Sequence, residues 1–305
     1  MNASLFAGIE AGGTKFVVAL GTGPTDLRAT KIDTTTPEET IGKVIEWLDS
    51  ASREHGPFGA IGIGSFGPVD LHRTSPTYGC ITTTPKPGWR NVPLVDRMRE
   101  RFAVPVGFDT DVNAAALGEH LWGAGQGIDP LVYLTVGTGV GGGVLVNGKP
   151  LHGLLHPEIG HLMVPAPQTP SVVDPLCQCP FHVSCLEGFV CGPAIAKRWG
   201  VTKAALLPAD SPAWEEVGLT LAHGIVNIIV TLSPRRIVLG GGVMKGPGVL
   251  ESVRRHVQRL LNGYLHVPEI IEEIDGYLVP PGLGDLAGVS GALALAQRAF
   301  QGTHS

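Results

Sequence analysis

The 305 residues suffice for two hydrophobic cores, so two domains are expected and a single compact one would be crowded. Basic and acidic residues number 22 and 27, for a net charge near −5 with no run of one sign, which excludes an electrostatic footprint for nucleic acid or an anionic membrane. Glycine (43) and proline (25) are spread between apolar stretches, which implies many tight turns and excludes a low-complexity chain.

The N-terminus, "MNASLFAGIEAGGTK", has no basic region ahead of an apolar stretch, and no window approaches 18 apolar residues without breakers. A cytoplasmic protein is expected, where thiols stay reduced and clustered cysteines favour metal over disulfides. "LFAGIE" and "FVVALG" predict two strands joined by the turn "AGGTK". From Pro37 to Glu54, Ile41, Val44, Ile45 and Leu48 recur at helical spacing, with Pro37 suited to a first turn. "AIGIG" and "VPVGF" predict buried strands, and "DVNAAALGEHLW" a helix with Asp111 at its start.

"LVYLTVGTGVGGGVLV" again predicts strand, glycine-threonine turn, strand, about 125 residues after the first such hairpin, and suggests a duplicated architecture. Residues 165–185 predict a loop, "WEEVGLTLAHGIVNIIVTL" a long apolar helix, "RRIVLGGGV" a strand running into glycines, and "GDLAGVSGALALAQRAF" a closing helix. Strands alternating with helices define an α/β fold. The expected lobes are 1–117 and 118–285, with the closing helix 286–300 packed back on the first and a boundary, or hinge, near 116–120.

Three glycine stretches suit phosphate: "EAGGTK" (10–15), "GTGVGGG" (137–143) and "GGGV" (240–243). Without a Cβ, successive backbone N–H groups can converge on an anion, and threonine adds a hydroxyl. A tight hairpin is the plain alternative for each. "GIGSFG" (62–67) and "GTGVGG" (137–142) both fit GxGxxG, but Pro68 follows the first and a strand the second, so neither opens a dinucleotide-binding helix.

"GIEAGGTK", "DTDVNAAALGE", "LTVGTGVGGG", "HPEIGH" and a cysteine loop, in this order, resemble the ROK family of sugar kinases. "SFGPVD", "TPKPGW" and "CLEGFVCGPAI" resemble its bacterial fructokinase branch more narrowly, and the likeness spans residues 8 to about 295. The resemblance implies a two-lobed actin-like ATPase fold, duplicated and ribonuclease H-like, around a central cleft that takes ATP, Mg²⁺ and a hexose. It implies that Gly12, Gly13, Thr14 and Lys15 face Gly137, Thr138 and Gly139 across the phosphates. By the same resemblance Gly240, Gly241, Gly242, Val243, Lys245 and Pro193 line the adenosine pocket. Glu158 and Glu187 match carboxylates that accept sugar hydroxyls, with Asn113 and His161 nearby. Glu10 stands where most members carry aspartate, and its longer carboxylate can still hold a metal-bound water. A homodimer is expected by similarity.

Phosphoryl transfer needs an alcohol held in line and a base for its proton. Asp111 is the candidate: it follows a strand and opens a helix, at the strand end where α/β ligand sites form, and matches the family's catalytic aspartate. An aspartate here is otherwise a helix cap, and Asp109 is expected to be structural.

"CQCPFHVSC" (177–185) places Cys179, His182 and Cys185 at three-residue intervals, and His161 supplies a distant fourth ligand for a closed tetrahedral zinc site of structural role. This set is preferred to one containing Cys177, and a disulfide within the loop is the remaining alternative. Cys80 and Cys191 are expected to be buried thiols. Related repressors carry a DNA-binding domain before the first hairpin, whereas only seven residues precede Gly8 here. A zinc hydrolase is disfavoured by the lack of an HExxH motif.

Overall fold

Strand β1 (Leu5–Ala11) runs antiparallel to β2 (Lys15–Gly21), and β2 antiparallel to β3 (Arg28–Asp33), because short turns leave no room for a crossover. In the computed structural model, which describes residues 4–169 and 172–302, helix α1 (Pro37–His55) then returns the chain so that β4 (Phe58–Ser65) lies parallel to β1. The Thr36 hydroxyl caps α1 by accepting the Glu39 N–H, and Pro37 fills the first turn, where a missing N–H is no loss. A ribbon of β5 (Cys80–Ile81) and β6 (Val92–Pro93) precedes α2 (Leu94–Arg101) and β7 (Val106–Thr110), which is parallel to β4 and leads into α3 (Asp111–Trp122). The sheet order is β3-β2-β1-β4-β7.

The plan then repeats. Strands β8 (Leu131–Val136), β9 (Val140–Val146) and β10 (Lys149–Pro150) form a second meander. Helices α4 (Leu186–Val190), α5 (Gly192–Arg198) and α6 (Pro212–Leu232) precede β11 (Arg236–Gly240). Helices α7 (Val249–Leu261), α8 (Pro268–Ile271) and α9 (Ile274–Tyr277) precede β12 (Leu278–Val279), and α10 (Ala287–Gly302) closes the chain. The order β10-β9-β8-β11-β12, with β11 parallel to β8 and β12, repeats the first sheet strand for strand.

By contact the chain divides into two units. The first runs through Gly127 and includes Gly143–His156 and the stretch from Gly282; the second comprises Ile128–Gly142 and Pro157–Pro281. Residues 116–120 lie inside the unbroken α3, whose inner face is buried through Glu119, and the first division falls beyond it.

In the first unit α10 packs on α3 and on β1 and β4. Close approach demands glycine: a methyl on Gly62 would stand 1.8 Å from the Ala292 carbonyl oxygen, and one on Gly291 1.6 Å from that of Ala114. The opposite sheet face buries Ile9, Phe16, Ile61, Ile63 and Trp89 with Leu48 of α1 and Met98 of α2. Glu119 is fully buried, and its carboxylate accepts the N–H groups of Ala124 (2.6 Å), Gly282 (2.9 Å) and Leu283 (2.9 Å), tying the stretch after α3 to the one before α10. In the second unit α6 is long and apolar enough to span a membrane by length and composition, but over half of its most apolar window is buried, and it packs on α4 and α7. Its apolarity is that of a core helix.

Candidate active site

In the first unit, Gly12 to Thr14 join β1 to β2. The Gly12 N–H donates to the Lys15 carbonyl (3.1 Å), while Thr34 donates its hydroxyl to the Gly12 carbonyl (2.7 Å) and its N–H to that of Thr14 (3.0 Å). The turn is thus held through its carbonyls, and Gly13, Thr14 and Lys15 are exposed. Such a turn presents backbone N–H groups to an anion.

Asp111 is the first residue of α3, but Thr110 is the cap: its backbone is extended (φ −66°, ψ 155°) and its hydroxyl accepts the Asn113 N–H at 3.1 Å. The common alternative for an aspartate at this place is therefore taken by its neighbour. Asp111 Oδ1 accepts the Val112 N–H (2.9 Å), and burial raises its carboxyl to about 6 against the pull of backbone N–H groups. Burial also raises Glu10, to about 7; Asp111 and Asp285 push the same way, while Lys15 and the Val289 N–H oppose. Glu10 lies over Gly288, where a methyl would stand 2.4 Å from its carboxyl carbon. Asp111, Asp285 and Lys15 thus all act on Glu10 beside the hairpin.

Asn113 is fully buried and donates its amide to Asp109 Oδ1 (2.7 Å), which also accepts the Thr110 N–H (2.8 Å). His152 Nε2 lies 3.0 Å from Asp109 Oδ2, and that hydrogen bond raises the imidazole above its ordinary value. Asp109 is the hub that holds the start of α3. Asn113 Oδ1 has no protein partner among the described residues.

In the second unit the Gly137 N–H donates to the Gly139 carbonyl (2.8 Å), and the Gly192 N–H to the Gly137 carbonyl (2.7 Å), which sets the first turn of α5, with Pro193, against this hairpin. Thr138 is exposed at the tip. Gly240 ends β11; Gly241 adopts φ +92°, and a methyl there would lie 2.3 Å from the Val136 carbonyl oxygen, so the turn comes against the end of β8. Gly242 precedes a 3₁₀ turn of Val243 to Lys245. The hairpin, Pro193 and Gly241 are therefore brought together, and Lys245 stands exposed at the end of the following turn.

Glu187 of α4 turns onto the same hairpin: its Oε2 accepts the Val140 N–H at 2.9 Å, and a methyl on Gly139 would meet that oxygen at 2.8 Å. Glu158 is exposed and begins the 3₁₀ turn Ile159–His161, its carbonyl accepting the His161 N–H (2.9 Å).

His161, Cys179, His182 and Cys185 gather their donor atoms within 4.8 Å of one another. Cys179 Sγ lies 3.2 Å from His182 Nδ1 and 4.0 Å from His161 Nδ1, and Cys185 Sγ 3.8 Å from His161 Nδ1. Zinc bonds of about 2.0–2.3 Å in a tetrahedron separate ligand atoms by roughly 3.3–3.8 Å, so four nitrogen and sulfur donors at this spacing can hold a metal ion. Cys177 is outside the group, its sulfur against Gly188. All five cysteines are free, with Cys80 and Cys191 buried.

Some participants escape a reading of the motifs. Arg198 is fully buried, bonds Glu216 (2.7 Å) and the carbonyls of Asp174 and Pro175, and lies over the Phe189 ring, which anchors the entry to the cysteine loop. An arginine in an apolar helix just after that loop was the available signal. Lys86, in "TPKPGW", places Nζ 2.5 Å from the Gly13 carbonyl oxygen. Asp285 acts on Glu10 from a segment with no recognisable motif.

Two copies of a three-strand meander with two parallel crossovers, each with a glycine turn after its first strand, define the actin-like ATPase class. The ROK family model matches residues 6–299, and the chain belongs to the ROK family. It is 47% identical over 295 residues to the fructokinase of Zymomonas mobilis, covering 96% of each chain. It is 40% identical over 303 residues to the fructokinase of Pediococcus pentosaceus, covering 97% of this chain and 99% of the other. Among solved structures, the ROK hexokinase from Thermus thermophilus matches with a TM-score of 0.77 at 28% identity, covering 98% of this chain and 99% of that one. A ROK family glucokinase from Streptomyces griseus, in complex with glucose and AMPPNP, gives 0.75 at 26% identity, covering 97% and 100%.

Proposed function

We propose that this protein transfers the γ-phosphoryl group of ATP to a hexose, D-fructose foremost, yielding fructose 6-phosphate and ADP. The observation that carries the reading is Asp111, a buried carboxyl relieved of capping by Thr110 and raising its neighbour Glu10, in a chain 47% identical to a fructokinase. Asp111 accepts the proton of the attacking hydroxyl. Gly12, Gly13, Thr14 and Lys15 in the first unit, and Gly137, Thr138 and Gly139 in the second, bind phosphate. Pro193, Gly240 to Val243 and Lys245 take the adenosine. Glu158, Glu187, Asn113 and His161 orient the sugar, with Asn113 Oδ1 the acceptor left over from its bracing of Asp109.

Magnesium fits the acidic group, since Asp111 and Asp285 both act on Glu10 and a hard cation prefers such oxygens. Glu10 holds it in this reading, and the bound ion supplies charge neutralisation at the phosphate tail. Zinc fits the two cysteines and two histidines as a closed structural centre with no position left for substrate. The protein acts in the cytoplasm on a small sugar, with no nucleic-acid or membrane partner, a reading supported by its mild acidity. A homodimer is proposed by analogy with the family.

Glucose or mannose is the second reading, favoured by the glucose bound in the Streptomyces griseus relative. Measuring ADP release with Mg²⁺ across a panel of hexoses tests both: fructose is expected to give the highest kcat/KM. No hexose-dependent ADP would sink the kinase reading, leaving a non-catalytic sugar-binding regulator.

A further inference from the structure

We infer that Lys86 is a ligand of the triphosphate, adding a positive charge to the first phosphate hairpin; this rests on the kinase reading above. Its Nζ donates to the Gly13 carbonyl (2.5 Å) and the Thr34 carbonyl (3.3 Å). The first oxygen belongs to the hairpin and the second to the residue that grips it. Both are neutral, and no carboxylate pairs with Lys86 among the described residues. An ammonium has three donors, so one N–H and the full charge remain for an anion. Lys15 differs, since its charge acts on Glu10.

The placement of Lys86 is built into the segment. Trp89 is fully buried against Phe16 and Phe66, with ring centroids 5.3 and 5.6 Å apart, and its indole N–H donates to the Thr35 carbonyl at 2.9 Å. The Trp89 N–H closes a turn onto the Lys86 carbonyl (3.2 Å), and the Lys86 N–H donates to the Thr84 hydroxyl (3.3 Å). Confining a lysine costs up to about 2 kcal/mol of side-chain entropy, which two charge-assisted bonds to neutral carbonyls can offset while leaving the ammonium's charge without a counter-charge. A phosphate tail on the hairpin supplies the missing partner.

Lys86→Gln keeps an amide that can donate to both carbonyls but removes the charge; Lys86→Arg keeps the charge. Titration calorimetry with Mg·ATP and with adenosine, alongside steady-state kinetics and Tm, separates the cases. Lys86→Gln is expected to weaken Mg·ATP by about ten- to a hundredfold, leave adenosine binding and Tm near wild type, and leave the KM for fructose unchanged. Lys86→Arg should recover most of the loss. Wild-type Mg·ATP affinity in Lys86→Gln, or an equal loss in Lys86→Arg, overturns the inference while wild-type turnover keeps the kinase reading intact. A wild-type protein with neither hexose turnover nor Mg·ATP binding removes that reading instead.

Discussion

The turn at Gly12 to Thr14 is gripped by donors: Thr34 and Lys86 bond its carbonyls, and the acids Glu10 and Asp111 stand beside it. The turn at Gly137 to Gly139 is gripped by an acceptor as well, with Glu187 on the Val140 N–H, two residues beyond Cys185 of the cysteine-histidine cluster. One backbone plan, repeated by the topology, thus has two electrostatic settings. The first turn lies beside buried carboxyls, whereas the second is bonded by a glutamate that follows the cysteine-histidine cluster in the chain. Changes in the first unit should therefore alter the chemical step, and changes in the second should alter stability and the grip on ligands.

The largest expected effect is on the chemical side. Asp111→Asn should lower kcat by about 10² to 10⁴ with nucleotide affinity nearly unchanged, measured by steady-state kinetics and calorimetry; turnover at the wild-type rate would end the assignment. Next comes the metal loop. Purified protein should hold about one equivalent of zinc, and Cys185→Ser should lose it and lower Tm by roughly 5–10 °C, read by elemental analysis and calorimetry. Metal-free protein of unchanged Tm and activity would separate the loop from the second hairpin.

The pH dependence probes the first unit again. A neutral Asp111 cannot take a proton, so kcat/KM should rise with pH across about 6 to 7, where Asp111 and then Glu10 ionise. Both carboxyls lie above their ordinary values, so the ligand-free fold retains protons that the unfolded chain releases. Their contribution to stability is thus present at low pH and is lost as pH rises from about 4 to 7, which denaturation at several pH values measures. The smallest effect is expected for Glu187→Gln, which weakens a charge-assisted bond to Val140 and should raise the KM for fructose by about tenfold with little change in kcat. A large fall in kcat would instead place Glu187 with the chemistry.

Much of the candidate site could be read in the chain because its parts are local. The hairpins show as strand, glycine, strand, and α3 shows in a run of strong helix formers. Three of the candidate metal donors fall at three-residue intervals in one loop, so few folds could keep them apart. The same local view misleads at "GIGSFG": Gly62 and Gly64 lie in β4, where Gly62 admits α10 and a methyl on Gly64 would stand 2.6 Å from the Ala114 Cβ of α3. Nothing near them in the sequence announces helices contributed by residues so far along. Nor does "DTDVN" say which of Thr110 and Asp111 caps, since both are good caps and one hydroxyl's direction decides.

By itself, then, the chain determined its strands, turns and helix starts, because hydrophobic period, capping and glycine freedom act over a few residues. Packing decided the rest. Glu187 meets Val140 across 47 positions, Lys86 meets Gly13 across 73 and Glu119 meets Gly282 across 163. The raised carboxyls of Asp111 and Glu10 belong to that second level too, since burial and neighbouring charge exist only once distant segments have come together.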